Sequence, residues 1–189
     1  MRMSIAIPTY EVKGRGVEFL NDLFRTIEIQ TFKDFEVVVS DHSKDDKLVD
    51  VVDEFQYKFD ITYVKNKNDL GNGPANTNNA IRNCSGDIIK VMFQDDFFYD
   101  DEALQKIHDS FDDEHDWLVC GSNHTQDDGN NFYWDLYPRW NDSIIKGVNS
   151  ISSPSVMAAK KKVFDQIKFD ETLVMMMDCE IYYHIKKEF

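Results

Sequence analysis

The chain is short of basic charge: 21 Lys and Arg stand against 35 Asp and Glu, a formal net charge of −14 over 189 residues. A surface with that balance repels polynucleotides and anionic lipid, so no nucleic-acid partner is expected. Any phosphate-bearing ligand would then need a cation beside it. Cysteine is scarce too: Cys84, Cys120 and Cys179 are odd in number and have no metal-ligand spacing, so they read as reduced thiols of a cytoplasmic protein. No apolar run approaches a membrane span and the first one stops at Pro8, so neither a transmembrane segment nor a secretory signal is expected. Without a signal, the Asn-x-Ser/Thr triplets at Asn83, Asn123 and Asn141 read as composition and not as glycan sites. Glycine loops that cradle phosphate are also missing. No Gly-x-x-x-x-Gly-Lys-Ser/Thr occurs, and no Gly-x-Gly-x-x-Gly follows the first apolar run.

Hydrophobic residues make up 42% of the chain and aromatics 13%, which excludes a disordered protein and suits one domain with a proper core. Short apolar runs alternate with helical spacing. Ser4 to Pro8, Phe35 to Ser40, Ile61 to Val64, Asp87 to Phe93 and Trp117 to Cys120 read as strands. Between them Val17, Leu20, Phe24 and Ile27 form one apolar stripe, Leu48, Val51, Val52 and Phe55 a second, and Leu104, Ile107 and Phe111 a third. Ser43 with Asp46 resembles a capping box for the second helix, and Gly71 to Arg82 is poorly helical. The alternation predicts a single α/β domain whose central, mostly parallel sheet is flanked by helices, with its site beyond the carboxyl ends of the strands.

Three polar clusters fall there: Pro8-Thr9-Tyr10-Glu11, Asp41-His42-Ser43 and Asp95-Asp96. The last follows a buried run and offers two hard oxygen ligands to a divalent cation and the diphosphate it would neutralise. Two adjacent Asp residues equally suit the start of a loop before a helix.

Taken in order, Ile5-Ala6-Ile7-Pro8-Thr9-Tyr10, Val37-Val38-Val39-Ser40-Asp41-His42-Ser43, Gly71 to Asn79, and Gly86-Asp87-Ile88-Ile89 leading into Gln94-Asp95-Asp96 resemble the family 2 glycosyltransferases of the GT-A fold, over nearly the whole chain. The resemblance implies a Rossmann-like, nucleotide-diphospho-sugar transferase domain over 1–189, with a nucleotide-sugar and metal half at 1–100 and an acceptor and base half at 101–189. It places Pro8, Thr9, Tyr10, Glu11, Asp41, Asn72, Asn76, Gln94 and Asp95 around the nucleotide sugar, with Asp41 accepting from the base, and Asp95 and Asp96 at Mn²⁺ or Mg²⁺. The sequence departs from the family pattern in three places. Phe93-Gln94 lacks the first acid of the metal motif, His42 stands beside a single carboxylate, and Ala75-Asn76-Thr77 lacks an arginine.

The resemblance also implies inverting transfer, probed at Asp178 as the base with Glu180 as a second acid. Read from spacing alone, Asp178 equally suits the first turn of the helix carrying Ile181, Tyr182, Ile185 and Phe189. The aperiodic stretch from Asn123 to Ser153 offers Trp134, Tyr137 and Trp140 as a platform for a sugar acceptor, or as a packed aromatic lid. The expected donor is a UDP-sugar and the acceptor a glycan, a lipid-linked sugar or a protein. A nucleotidyltransferase-like enzyme is the alternative reaction class, and a sugar or nucleotide-binding module with a decayed site is the non-enzyme alternative.

Overall fold

In the computed structural model, which describes residues 1–11, 13–127 and 129–189, six strands form one sheet in the order β3-β2-β1-β4-β6-β5. The elements are β1 (Met3–Thr9), α1 (Gly16–Glu28), β2 (Phe35–Asp41), α2 (Lys47–Phe55), β3 (Asp60–Lys65), α3 (Gly73–Arg82), β4 (Ile88–Val91), α4 (Ala103–Asp109), β5 (Trp117–Val119), β6 (Met157–Lys160), α5 (Lys161–Gln166) and α6 (Met177–Glu188). Strands β1 to β4 pair in parallel, while β6 runs antiparallel to both of its neighbours. The mostly parallel, helix-flanked sheet follows the expectation.

Alternation along the strands sorts the core into two layers. Met3, Ile5 and Ile7 of β1 face Leu20, Leu23, Phe24 and Ile27 of α1, together with the apolar faces of α2 and α4. Ala6, Val38, Ile89 and Val91 face the other way, onto α3, α5 and α6. Both sides being covered explains why Val37-Val38-Val39 is apolar without interruption. Phe24 packs edge-on against Phe55 and Phe59, at 5.3 and 5.5 Å between ring centroids. Truncating such a ring to Ala costs about 3–5 kcal/mol.

Two local expectations need correction, and two elements come without one. The helix α2 starts at Asp46 without a side-chain cap, and Ser43 instead accepts the Glu11 N–H at 2.7 Å, so no capping box forms. Gly73–Arg82 is a regular helix despite its many asparagines, because Asn72 caps the Ala75 N–H at 3.0 Å and Pro74 suits the first turn. Inside it Asn78 exchanges bonds with both the N–H and the C=O of Phe169, at 3.0 and 2.8 Å. Strand β6 and helix α5 had no sequence signal: Met157-Ala158-Ala159-Lys160 has no β-branched residue, and α5 is six residues long.

Glycine is required at one tight approach below the sheet. A Cβ on Gly86 would lie 2.7 Å from Ser4 Oγ and 2.8 Å from the Met3 backbone. That contact brings the turn before β4 against β1, and so lines up β4 for parallel pairing.

Candidate functional site

The carboxyl ends of β1, β2 and β4 meet at one rim, as the parallel order requires. At the end of β1, Thr9 is 1% exposed and its Oγ1 has no hydrogen-bond partner among the described residues. The same holds for both carboxylate oxygens of Glu11. Buried polar atoms are nearly always paired, so these three atoms are open to a partner from outside the described residues, water or ligand. Gly16 closes the loop from behind: a Cβ there would meet Glu11 Oε2 at 2.9 Å and the Tyr10 carbonyl at 3.1 Å.

At the end of β2, Asp41 has no exposed surface. Its Oδ1 accepts from the Ser43 N–H at 2.7 Å, and its Oδ2 accepts from Tyr63 Oη at 2.6 Å and Lys65 Nζ at 3.0 Å. Desolvation and the Asp41 carboxylate both push the Tyr63 hydroxyl upward, so it stays a donor. An expected contact of Asp41 with a base would have to use the acceptor capacity these bonds leave. Its carboxylate is already committed to three protein donors and anchors the β2–β3 rim. Beside it, His42 Nε2 lies 2.9 Å from the Asn68 carbonyl, and burial lowers the imidazole so that it favours the neutral form.

The two asparagines expected around the nucleotide sugar make their hydrogen bonds within the protein. Asn76 is buried; its amide donates to the Thr9 and Ser40 carbonyls at 3.1 and 2.9 Å and accepts from Ser40 Oγ at 2.6 Å. It thus clasps the ends of β1 and β2. Asn72 caps α3 and donates to the Glu171 carbonyl at 2.8 Å. Gln94 is 4% exposed and exchanges two bonds with the Tyr10 backbone, so it too shapes the rim from within. Pro8 is half-buried and Tyr10 is exposed at the same edge.

Asp95 and Asp96 follow β4 and line a cavity of about 790 Å³ between α4, β5 and the segment after it. Asp95 is raised above its ordinary range by desolvation and by the adjacent Asp96 carboxylate. Two carboxylates that crowd each other fit a divalent cation, whose remaining ligands in such sites are phosphate oxygens and water. Among the described residues no group of three or more His, Cys, Asp or Glu could hold a metal alone.

Lys90 also lines this cavity, and sequence reasoning passed over it. It is 2% exposed in the middle of β4, and its ammonium donates to the Val91 carbonyl at 2.9 Å and to the Ser155 carbonyl. Burial lowers it to about 8, opposed by Cys120 and Asp96. The visible signal was a charge inside the apolar run Ile88 to Phe93. The cavity's aromatic lining includes Phe97, Tyr99, Phe132 and His124. Trp134, Tyr137 and Trp140 lie on the exposed surface instead, with Trp134 stacked on His124 at 5.3 Å and Trp140 Nε1 donating to Asp142 at 2.8 Å.

Asp178 stands in the first turn of α6, half-buried. Its Oδ1 accepts the Cys179 N–H at 2.8 Å, and its Oδ2 accepts Asn149 Nδ2 at 2.6 Å. Glu180 lies 3.2 Å from His184, and its Oε2 is buried without a partner among the described residues. Desolvation raises the Glu180 carboxyl against the pull of His184. The site thus has one carboxylate fixed by two donors and a second that is held partly out of water. All three cysteines are free thiols, and no helix among the described residues is long and apolar enough to cross a membrane.

The chain is similar to several known proteins. An uncharacterized glycosyltransferase of Bacillus subtilis (strain 168), YfnE, is 27% identical over 121 residues, covering 64% of this chain and 30% of that protein. The GalNAc(5)-diNAcBac-PP-undecaprenol beta-1,3-glucosyltransferase of Campylobacter jejuni is 32% identical over 96 residues, covering 50% of this chain and 30% of that one. The chain therefore spans about a third of the length of these curated relatives. Among solved structures, S. aureus TarS 1-349 in complex with UDP superposes with a TM-score of 0.76 at 20% identity, covering 98% of this chain and 55% of that one. The mannosyltransferase PcManGT of Pyrobaculum calidifontis, in complex with GDP-Man and Mn²⁺, gives 0.71 at 18% identity, covering 97% and 51%. At such identities the likeness establishes a common GT-A fold. The pattern described as Glycosyl transferase family 2 matches residues 4–182, from the first strand into the last helix, and the chain belongs to that family.

Proposed function

We propose that the chain transfers a sugar from a UDP-sugar to a hydroxyl acceptor with inversion, assisted by a divalent cation at Asp95 and Asp96. The observation that carries this reading is the adjacent pair Asp95 and Asp96 lining the cavity, beyond the same sheet edge that carries the unpartnered oxygens of Thr9 and Glu11. A strongly acidic protein has little else with which to hold a diphosphate. Thr9 and Glu11 accept from the donor's hydroxyl or N–H groups, and the fold neighbour solved with UDP makes a uridine nucleotide the first choice. The cation would neutralise the leaving diphosphate.

Asp178 is the base. It takes the acceptor's hydroxyl proton as that oxygen bonds to the anomeric carbon and the bond from that carbon to the diphosphate breaks, releasing UDP. Residues 1–100 then serve the donor and 101–189 the acceptor and the base. Because Trp134, Tyr137 and Trp140 are exposed, they suit the outer part of a long acceptor, and the cavity wall of Tyr99 and Phe132 suits its reacting end. The undecaprenol-linked acceptor in the name of the Campylobacter relative makes a lipid-linked sugar the first acceptor class to try.

Titration of UDP, UDP-glucose and UDP-GlcNAc with and without Mn²⁺, followed by measurement of UDP release, tests the reading. Binding should depend on Mn²⁺, and replacing Asp95 and Asp96 together by Ala should abolish it. Undiminished affinity without metal would overturn the metal assignment. Tight binding with no UDP release to water or to any acceptor would favour a binding module, and pyrophosphate release a nucleotidyltransferase.

A further inference from the structure

We infer that Asn149 is a positioning residue that sets the orientation of Asp178 and ties it to Asp96 through residues 149–153. The inference rests on the reading of Asp178 as the base. The side-chain amide of Asn149 makes four hydrogen bonds, all within the protein. Nδ2 donates to the Ser152 carbonyl at 2.9 Å and to Asp178 Oδ2 at 2.6 Å. Oδ1 accepts the N–H groups of Ile151 and Ser152, at 2.9 and 3.0 Å. A flipped amide would set N–H against N–H on one side and oxygen against oxygen on the other, so this arrangement admits one orientation. Both of its donors and both acceptor sites are used, which leaves the amide no freedom to turn.

The segment it holds is strained. Ser152 has φ of 134°, a conformation costly for any residue but glycine, and it persists where surrounding bonds over-determine it. The next residue reaches in two directions: Ser153 Oγ lies 3.4 Å from Asp96 Oδ2, and the Ser153 carbonyl accepts from Tyr182 Oη at 2.9 Å. Tyr182 is fully buried and lies one turn beyond Asp178 on α6. The proposed base and the proposed metal acid are therefore joined twice through one short strap, once by Asn149 and once by Tyr182.

Packing does not explain Asn149. The residue is exposed and has no part in either core layer, so its truncation removes hydrogen bonds to the strap and to Asp178 and leaves the core packing intact. Its position explains why Asp178 can act. With Oδ1 held by Cys179 and Oδ2 by Asn149, the carboxylate plane is fixed, and a free lone pair on Oδ2 is left to receive a proton.

The test compares the unsubstituted chain with Asn149→Ala, Asp178→Asn and the double variant, in the presence of Mn²⁺. UDP affinity is measured by calorimetry, and kcat and KM are measured for UDP release from UDP-glucose and UDP-GlcNAc. Asn149→Ala should leave UDP affinity and KM within about twofold and lower kcat about 10- to 100-fold, the scale of one charge-assisted hydrogen bond. In the Asp178→Asn background it should cost nothing more, since residues acting through one group are non-additive. Multiplying losses, or an unchanged kcat, would overturn the inference. An inactive Asp178→Asn beside a fully active Asn149→Ala removes the positioning role and keeps the base. A fully active Asp178→Asn removes the base and the positioning role with it. Amide exchange at Ile151 and Ser152 reads the strap without turnover: Asp178→Ala should speed it about tenfold or more, and unchanged protection would refute the link.

Discussion

Gln94 and Tyr10 exchange two hydrogen bonds: the Tyr10 N–H donates to Gln94 Oε1 at 2.9 Å, and Gln94 Nε2 donates to the Tyr10 carbonyl at 2.7 Å. Only a side chain that both donates and accepts can close this pair, so an amide, and not an acid, stands between Phe93 and Asp95. The exchange locks the end of β1 to the loop after β4, the two pieces of backbone that carry Glu11 and Asp95. Gln94→Glu would turn the Tyr10 carbonyl toward a carboxylate. UDP affinity in Mn²⁺ should fall about tenfold or more, the scale of a lost hydrogen bond plus an unpaired buried group. Calorimetry reads it, and wild-type affinity in Gln94→Glu would show that the rim does not depend on this pair.

Asp41→Ala should act mainly on stability. It strips three donors of their acceptor and leaves Lys65, whose side chain is 20% exposed, without its inner partner. Removing one member of a buried pair costs about 3 kcal/mol or more. Urea unfolding measures it. A well-folded variant with lost UDP binding would return Asp41 to the ligand.

Acid should unfold the protein partly through Glu36. Burial alone would raise this carboxyl, but Ser4 Oγ, the Ser85 N–H and the Ser85 hydroxyl, at 2.6, 2.6 and 2.9 Å, with Arg2 nearby, outweigh it and hold it below its ordinary 4.5. A carboxyl lowered on folding gives its full stabilisation above the unfolded value and loses it as pH falls through the folded one. Glu36→Gln should cost about 1–3 kcal/mol at neutral pH and flatten the acid limb of the stability profile. An equally steep acid limb in Glu36→Gln would assign that limb to other groups.

Lys90→Met should stabilise the fold. The ammonium is lowered from 10.5 to about 8, so between those values the unfolded chain binds the extra proton and stability rises with pH. Below that window the folded state carries the whole cost, about 3 kcal/mol. Methionine removes that cost and orphans two carbonyls at about 1 kcal/mol each, for a net gain of about 1 kcal/mol. Unfolding at neutral and alkaline pH should show the gain and the loss of the alkaline rise. A destabilised variant would mean that the carbonyl bonds dominate.

Period and order carried the parallel half of the fold: Val37-Val38-Val39 can only be a strand covered on both sides, and Leu20, Phe24 and Ile27 can only face a sheet. Met157-Ala158-Ala159-Lys160 has no such signature, because its pairing is decided by the strands on either side of it. At the rim, residue type indicated position but not partner. Asn76 and Asp41 belong to the site's end of the sheet, yet their bonds go to backbone and to Tyr63 and Lys65, from distant stretches of chain. Asn149 was illegible for the same reason, since its meaning depends on Asp178, 29 residues away.

The antiparallel strand β6 also dictates an order of events. It lies between β4 and β5, so β5 cannot join the sheet when it leaves the ribosome but must wait until residues 157–160 arrive. Closing that long loop is the slow, entropically costly step in such a topology. Ser122, Phe132, Ser153 and Val156, which wall the cavity, all belong to the loop or its closing turn. Completing the sheet and forming the cavity are therefore one event, and a chain caught before it can pair β1 to β4 but has no enclosed cavity beside Asp95 and Asp96.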